Sequence, residues 1–258
     1  MPTELVFHPH AKINIGLFIK GKRPDGYHEL ETVFYPAPLQ DKLEIKTNTS
    51  FTKNTLHVEG IALTDSPEKN LCIRAWKLLK EIFPSLPFVE IYLHKHIPVG
   101  AGLGGGSSDA AHTLLGLRTM FDLNISDKKL SNLAVQLGAD VPFFLRNKPC
   151  FASGIGEKLE ELELHIPYEI RLVTSPVFSD TTLAYKELDL KKCSTEKDLR
   201  NLIQKPIETW KGCISNDFET SIFARFPELL ELKNKLYAEG AIYASMSGSG
   251  SALYGFFK

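Results

Sequence analysis

The sequence has few cysteines, no long apolar run and almost no net charge, and each absence narrows what the chain does. Its four cysteines include no CxxC pair, so we expect neither a zinc site nor a disulfide framework, and we infer a reducing, cytoplasmic setting. No window approaches roughly 18 apolar residues, and no basic segment precedes an apolar run at the N-terminus, so we expect no membrane span and no secretory signal. The formal net charge of −1 supplies no positive field for holding a nucleic acid.

What is present is the composition of an ordinary folded protein. The 258 residues are 43% hydrophobic and 24% charged, which suits one large domain or two modest ones. Alternating apolar residues over 13–19 predict a half-buried strand with Lys12 and Asn14 on one face. Helical spacing predicts a helix over 71–82 and another that Ser126 caps. Strands and helices mix throughout, so the predicted fold class is α+β or mixed α/β, with the polar segment 191–204 at its periphery.

The most informative segment of the sequence is rich in glycine and lies between a predicted strand over 91–97 and a predicted helix. Residues 98–111 read PVGAGLGGGSSDAA, with five glycines among seven consecutive residues and two adjacent serines. Glycine has no Cβ, so such a backbone can approach a ligand closely. The following helix leaves its first N–H groups without internal partners, and these groups with the helix dipole attract anions. The segment therefore predicts a loop that binds phosphate.

Several kinds of loop share these features. No lysine precedes Ser107, so the GxxxxGK[ST] pattern of a P-loop is missing. Gly100, Gly102 and Gly105 satisfy GxGxxG, but a helix continues where a dinucleotide fold needs a second strand. A flexible linker would not lie between an apolar strand and an amphipathic helix. A glycine–serine loop around a nucleoside triphosphate is favoured, with the serine hydroxyls beside phosphate oxygens or a magnesium ion.

Residues 98–111 also resemble the PxxxGLGSSAA signature of the GHMP small-molecule kinases. Residues 11–17 (AKINIGL), 23–28 (RPDGYH) and 138–143 (GADVPF) narrow the resemblance. They are similar to family members that phosphorylate 4-diphosphocytidyl-2-C-methyl-D-erythritol in the non-mevalonate route to isoprenoid precursors. The resemblance covers nearly the whole chain in the expected order and is weakest over 185–215. It implies phosphoryl transfer from ATP to the hydroxyl at position 2, with Mg²⁺ expected.

The resemblance also implies an architecture. A GHMP kinase of this kind has an N-terminal domain like domain 2 of ribosomal protein S5, here residues 1–150, and a ferredoxin-like C-terminal domain, here 151–258. The active site of the family lies in the cleft between the two. The partners implied are ATP and the cytidyl diphosphate derivative of methylerythritol, with no nucleic acid and no membrane. The chain is expected to be a monomer or a homodimer.

Two residues are predicted to carry the chemistry. Asp140, within Gly-Ala-Asp-Val-Pro, suits a carboxylate that accepts or steers the hydroxyl proton, although Asp in a turn is often only a cap. Lys12 suits a cation beside the reacting hydroxyl, where it favours an ionised Asp140, although most lysines are simply solvated. The resemblance places both around the hydroxyl of the erythritol, with Asn14 nearby. The sequence leaves open which of the two takes the proton.

The remaining predicted site residues bind rather than react. Tyr27 offers an aromatic face for stacking on cytosine, and His28 offers a ring nitrogen for its edge. By resemblance Tyr185 closes the stack from the C-terminal half, while Phe34 suits the pocket and the core equally. The predicted nucleotide-binding residues are Pro98, Val99, Gly100, Ala101, Gly102, Leu103, Gly104, Gly105, Gly106, Ser107 and Ser108. The resemblance also implies that Asn70 and Lys95 lie near the adenosine.

Two other features of the sequence bear on these predictions. The turn over 247–251 (SGSGS) is expected to pack under or beside the phosphate loop, with a plain hairpin as the alternative. His94, His96 and His112 are not expected to form a metal site.

A different GHMP kinase, acting on mevalonate, homoserine or a sugar, is the nearest rival function. A non-catalytic RNA-binding module is the rival from another class of function, because the N-terminal half of these kinases shares its βαβ arrangement with a ribosomal domain.

Overall fold

The computed structural model describes residues 2–48, 50–63 and 66–258. Its strands are β1 (Glu4–Phe7), β2 (His10–Lys22), β3 (His28–Gln40), β4 (Lys42–Thr47), β5 (Thr55–Gly60), β6 (Val89–Lys95), β7 (Cys150–Ser153), β8 (Lys158–Glu161), β9 (Glu169–Val173), β10 (Tyr243–Met246) and β11 (Leu253–Phe257). Its helices are α1 (Leu71–Ile82), α2 (Gly105–Met120), α3 (Asp127–Leu137), α4 (Val141–Arg146), α5 (Thr181–Lys186), α6 (Leu199–Ile203), α7 (Glu219–Arg225) and α8 (Pro227–Ala238). Within the described ranges, none of these helices combines the length and apolarity needed to cross a membrane.

The chain divides into two compact units, of which the first holds residues 2–11, 38–99 and 104–147. This unit is built on one sheet with the strand order β1-β4-β6-β5. Alternate residues of β6 are buried, namely Val89, Ile91, Leu93 and Lys95. Helix α2 crosses close to β4, since a Cβ on Gly116 would lie 2.7 Å from a methyl carbon of Ile45. Helices α1, α3 and α4 pack against α2 and complete the helical layer.

The second unit holds residues 12–37, 100–103 and 148–258. It contains two sheets, with the orders β2-β3-β7-β8 and β10-β11-β9. The three-stranded sheet is antiparallel, and α8 packs against β10 and β11. Trp210, Tyr243 and Phe256 are buried and contact one another through tilted and edge-on rings. This aromatic core holds the hairpin β10–β11 and the turn at its tip.

Much of the predicted secondary structure is confirmed, as is the α+β class. The helix expected over 71–82 is α1, with the same bounds. Ser126 caps α3, because its Oγ accepts a hydrogen bond from Lys129 N at 3.3 Å, and Gly138 follows the last residue of that helix. β10 and β11 flank the glycine–serine turn as the sequence predicts.

Two expectations about burial are wrong. Every residue of β2 from 11 to 19 is buried, so the strand is not half-buried as its alternation predicts. At Gly16 the reason is visible, because a Cβ there would lie 2.8 Å from both Leu199 and Ile214. The segment 191–204 is accordingly not peripheral throughout, since Leu199 and Ile203 are core residues.

The compact units differ from the predicted domain limits of 1–150 and 151–258, which stay a prediction. The break after Asn147 lies close to residue 150, but residues 12–37 group with the later part of the chain. Strand pairing is the cause, since Thr32, Val33 and Phe34 of β3 pair with β7. Residues 100–103 group likewise, with Ala252 N donating to Ala101 O at 3.1 Å.

Candidate functional site

The glycine-rich segment has the backbone that a phosphate loop needs. Gly102 and Gly104 have φ values of +77° and +71°, a conformation that side-chain-bearing residues rarely adopt. Gly104 is the residue before α2, and no side chain caps this helix. The first intrahelical bond to this glycine runs from Ser108 N to Gly104 O at 2.9 Å. The amides of residues 105–107 therefore open the helix without a side-chain acceptor and are available to an anion.

A hydroxyl stands at the same end of α2. Ser108 is fully buried, and its Oγ has no hydrogen-bond partner among the described residues. A buried hydroxyl without a partner carries a cost that a bound oxygen ligand relieves. This atom therefore fits the predicted contact with a phosphate oxygen or a cation.

The glycine–serine turn after β10 braces residues 101–103. Ser247 Oγ donates to Gly102 O at 2.8 Å, and a Cβ on Gly102 would overlap the Ser247 carbonyl oxygen. Asn216 Nδ2 holds the turn in place by donating to Met246 O at 2.8 Å and to Gly248 O at 2.7 Å. The prediction that this turn packs beside the loop is confirmed, and a plain hairpin is excluded.

Lys12 and Asn14 join the same network from β2. Lys12 is only 3% exposed, its Nζ donates to Asn14 Oδ1 at 2.5 Å, and the backbone N–H of Asn14 donates to Ser247 Oγ at 3.2 Å. The Lys12 backbone N–H also donates to Leu103 O at 2.9 Å. Lys12 is therefore not an ordinary solvated lysine. A continuous set of hydrogen bonds links its ammonium to Gly102 of the loop.

Two further side chains fix the orientation of this pair. Asn14 Nδ2 donates to Thr32 Oγ1 at 3.0 Å, and that hydroxyl donates to Gly16 O at 2.5 Å. The Lys12 Nζ also lies 4.9 Å from the centre of the Phe34 ring, within cation–π range. Thr32 is a residue that sequence analysis missed, because its role depends on the pairing of β3 with β2.

Asp140 lies in the first unit, immediately before α4. Its carboxylate makes no capping hydrogen bond to that helix, so it is not the turn cap that its position in the sequence allows. Its carbonyl oxygen accepts from Phe143 N at 3.2 Å, which fixes the backbone at this residue. Asp140 is half-buried.

Lys95 lies in a buried ion cluster, and its predicted place near the adenosine stays a prediction. It is 2% exposed, and its ammonium pairs with Asp41 and, at 2.7 Å, with Asp109 Oδ2. Burial raises the pKa of Asp109 to about 7, helped by the charge of Asp41 and opposed by that of Lys95. Desolvation lowers the pKa of Lys95, but the two carboxylates outweigh it, so the pKa lies above its ordinary value.

The predicted cytidine-binding residues lie in the second unit. The ring of Tyr27 is 61% exposed, and its backbone is held by the turn before it, where Tyr27 N donates to Asp25 Oδ1 at 3.1 Å. His28 stacks on Tyr185, with ring centres 5.1 Å apart and planes at 21°. A residue from the first half of the chain thus contacts one from the second half, and the predicted stack on cytosine stays a prediction. Burial, with the nearby charge of Lys22, lowers the pKa of His28.

Asn70 and the histidines are the remaining predicted residues. The side chain of Asn70 caps α1, accepting from Cys72 N at 2.9 Å. His94 stacks on His96 at 4.5 Å. In the part of the chain that the structure describes, no group of three or more His, Cys, Asp or Glu side chains is arranged to hold a metal ion.

Two segments of the chain match models of known protein families. Residues 70–148 match the GHMP kinases N terminal domain, and residues 198–258 match the GHMP kinases C terminal domain. A curated relative from Bacteroides fragilis, named 4-diphosphocytidyl-2-C-methyl-D-erythritol kinase, is 49% identical over 256 residues. The match covers 98% of this chain and 92% of the relative.

Solved structures agree with this assignment. A crystal structure of 4-(cytidine 5'-diphospho)-2C-methyl-D-erythritol kinase matches with a TM-score of 0.83 and 35% identity, covering 98% of this chain and 90% of that one. The mevalonate kinase of Methanococcus jannaschii matches with a TM-score of 0.69 over 99% of this chain and 91% of its own. Its identity of 13% makes that likeness one of fold alone.

Proposed function

The chain belongs to the GHMP kinase family, and on that premise we propose that it transfers the γ-phosphoryl group of ATP to the hydroxyl at position 2 of 4-diphosphocytidyl-2-C-methyl-D-erythritol. The observation that carries the proposal is the uncapped start of α2 beside left-handed glycines. Phosphoryl transfer depends on positioning and charge stabilisation, and this backbone supplies both. The 49% identical relative of that name supports the choice of substrate.

In this proposal residues 98–108 surround the triphosphate. The amides that open α2 donate to phosphate oxygens, and the Ser107 and Ser108 hydroxyls contact the same group. Asn70 lies near the adenosine through its backbone or its remaining amide donors, because its side-chain oxygen already caps α1. The brace from Ser247 to Gly102 supports the loop conformation that these contacts need.

Lys12 and Asp140 act on the substrate hydroxyl. An ammonium has donors and no lone pair, so Lys12 orients the hydroxyl oxygen and offsets phosphate charge, while a carboxylate is able to accept the proton. The hydrogen bond to Asn14 Oδ1 fixes the direction of the ammonium. We propose Asp140 as the acceptor, and its half-buried position immediately before α4 supports that role.

The cytidine is proposed to bind at Tyr27, His28 and Tyr185, with Asn14 toward the erythritol. An aromatic face for the base and a ring nitrogen for its edge are the two features that a cytosine needs. The exposed ring of Tyr27 and the stacked pair of His28 and Tyr185 supply them. Mevalonate, homoserine and sugars have no base and would leave these residues unused.

Mg²⁺ is expected with ATP, and the residues at the start of α2 fit it. This ion keeps several waters and takes few protein ligands besides substrate phosphates, so it needs no cluster of carboxylates. The hydroxyl of Ser108, buried without a partner among the described residues, is an oxygen of the right kind, and Ser107 offers a second. When bound, the ion offsets negative charge on the phosphates. A cytoplasmic setting is proposed because the four cysteines, all within the described part of the chain, form no disulfide.

A coupled assay for ADP release tests the proposal. The purified chain is given ATP, Mg²⁺ and, in separate reactions, 4-diphosphocytidyl-2-C-methyl-D-erythritol, mevalonate, homoserine and a hexose. We expect a kcat/KM for the cytidyl alcohol at least roughly 100-fold above the others, because an alcohol without a base leaves the polar and aromatic groups of the site unfilled. Turnover of another alcohol in preference to it would favour the rival kinase function.

A further inference from the structure

Lys95 lies where β6 ends and the glycine-rich segment begins, and it is locked in place. Its ammonium contacts two carboxylates, those of Asp41 and Asp109, and only 2% of the residue is exposed. It occupies the buried face of β6, in phase with Ile91 and Leu93. Withdrawing the ammonium from this cluster would leave two carboxylates buried without their cation, which is strongly unfavourable.

Asp41 fixes the other side of this cluster to the same segment. Its Oδ1 accepts hydrogen bonds from His96 N at 2.6 Å and from Ile97 N at 2.9 Å. Its Oδ2 contacts the Lys95 ammonium. Asp41 therefore binds three consecutive residues, 95–97, which lead directly into the loop.

Asp109 carries the connection into α2. It is the fifth residue of that helix, and its Oδ2 accepts from Lys95 Nζ at 2.7 Å. A Cβ on Gly105 would lie 3.2 Å from the same Nζ and 2.8 Å from Ile97 Cγ2. The backbone that opens the helix thus rests directly on the ion cluster, which explains why only glycine fits there.

We propose that Lys95, Asp41 and Asp109 form a positioning cluster, which sets the first amides of α2 relative to the end of β6 and thereby the affinity for the triphosphate. The Lys95 ammonium then acts through the loop rather than by contact with the nucleotide. The inference rests on the proposed use of ATP. It does not depend on which alcohol is phosphorylated.

The test replaces Asp109 and leaves Lys95 in place. Asp109→Leu is close in size and leaves the Lys95–Asp41 pair intact, so the fold is retained. We expect the calorimetric Kd for ADP and the KM for ATP to rise about tenfold, while kcat at saturating ATP stays within about threefold. Asp109→Asn keeps an oxygen that accepts from the ammonium and restores both values to within about twofold of the original. Asp127→Asn, which removes an exposed carboxylate of the same unit, is the matched control and should leave them unchanged.

Opposite results would overturn the inference. If Asp109→Leu binds ADP as the original chain does while Lys95→Met binds it poorly, Lys95 contacts the nucleotide directly. Should Asp109→Leu not fold, Asp41→Asn replaces it, since the amide oxygen still accepts from His96 N and Ile97 N. We then expect the Kd for ADP to rise about threefold, and an unchanged Kd contradicts the cluster. Because ADP binding is measured without the alcohol, a wrong substrate assignment leaves this test intact.

Discussion

Asp140 is the residue on which the proposed chemistry depends most. Asparagine matches aspartate in size and shape, so Asp140→Asn should leave the local fold intact. For Asp140→Asn we expect kcat to fall by about 10²–10⁴, the usual share of a general base, with the Kd for ADP within about twofold. Steady-state kinetics and calorimetry measure the two quantities. A kcat near the original value would remove Asp140 from the role of proton acceptor.

Lys12→Met is the companion variant and is expected to lower kcat more than it weakens nucleotide binding. The ammonium is buried and directed by Asn14, so its charge is placed to act where phosphate charge develops. Methionine keeps the length of the chain and some of its packing against Phe34.

Tyr27 tests the substrate class at the level of one side chain. Its ring is exposed and contributes little to stability, so Tyr27→Ala should fold normally. Since stacking on a base contributes about 1–3 kcal/mol, we expect the KM for the cytidyl alcohol to rise about tenfold or more, with the KM for ATP unchanged. An unchanged KM for the alcohol would favour a substrate without a base.

His28 gives the site a pH dependence whose direction is fixed by its environment. Burial and the charge of Lys22 lower the pKa of His28, so the ring is neutral at pH 7.5 and gains a proton only below its ordinary value near 6.5. Protonation removes the acceptor nitrogen. We expect the KM for the cytidyl alcohol, measured at saturating ATP, to rise as pH falls from 7.5 to about 5.5. His28→Gln does not ionise and should show a flat profile over that window, whereas an equal rise in both would exclude His28 as the cause.

At the scale of elements, the contact between the loop and the turn after β10 is the critical one. A Cβ on Gly102 would overlap the Ser247 carbonyl oxygen, and Gly102 also has a left-handed φ of +77°. Gly26 has a φ of +90° but no atom within 4 Å of a Cβ, which makes it a matched control. We expect Gly102→Ala to lose ADP affinity by more than about tenfold, whereas Gly26→Ala pays only the strain of about 1–2 kcal/mol in stability. Equal effects in calorimetry and thermal unfolding would show that strain alone matters.

Elements with strong local signals could be predicted from the sequence, and those that depend on long-range packing could not. The bounds of α1 follow from its apolar spacing and the proline after it, and α3 follows from its Ser126 cap. The burial of β2 on both sides depends on Leu199 and Ile214, nearly 200 residues away, and alternation within one strand carries no such information. The cluster of Lys95 joins residues 14 and 54 positions apart, and no local pattern pairs Lys95 with either carboxylate. The position of Asp109 directly after the paired serines is the one feature of the sequence that could have pointed to this cluster.

At the scale of the whole molecule, the order of residues along the chain does not match the order of compact units. β2 and part of β3 leave the first unit and join strands β7 and β8 in the second. Lys12 therefore belongs to one unit and Asp140 to the other, although both are proposed for the same reaction. A family resemblance carried by short motifs predicts their shared role, while local patterns predict neither the grouping nor its cause in the pairing of β3 with β7.

The fold by itself does not select the substrate. A mevalonate kinase shares it at a TM-score of 0.69 with 13% identity, so the same architecture serves alcohols without a base. Selection among alcohols is proposed to depend on Tyr27, His28 and Tyr185, whereas the glycine-rich loop is proposed to bind ATP whatever the alcohol. Substitutions at Tyr27, His28 or Tyr185 are therefore expected to weaken binding of the alcohol alone, and substitutions in the glycine-rich loop to weaken binding of ATP.

The most direct test of phosphate binding at the start of α2 is a crystal structure of the chain with an unreactive ATP analogue and Mg²⁺. We expect β- and γ-phosphate oxygens about 3 Å from the backbone nitrogens that open α2, with the glycine-rich loop in the conformation described. The Lys95 ammonium is expected to remain between Asp41 and Asp109. An analogue whose phosphates bind away from α2, or no binding at this loop at saturating concentration, would contradict the proposed function.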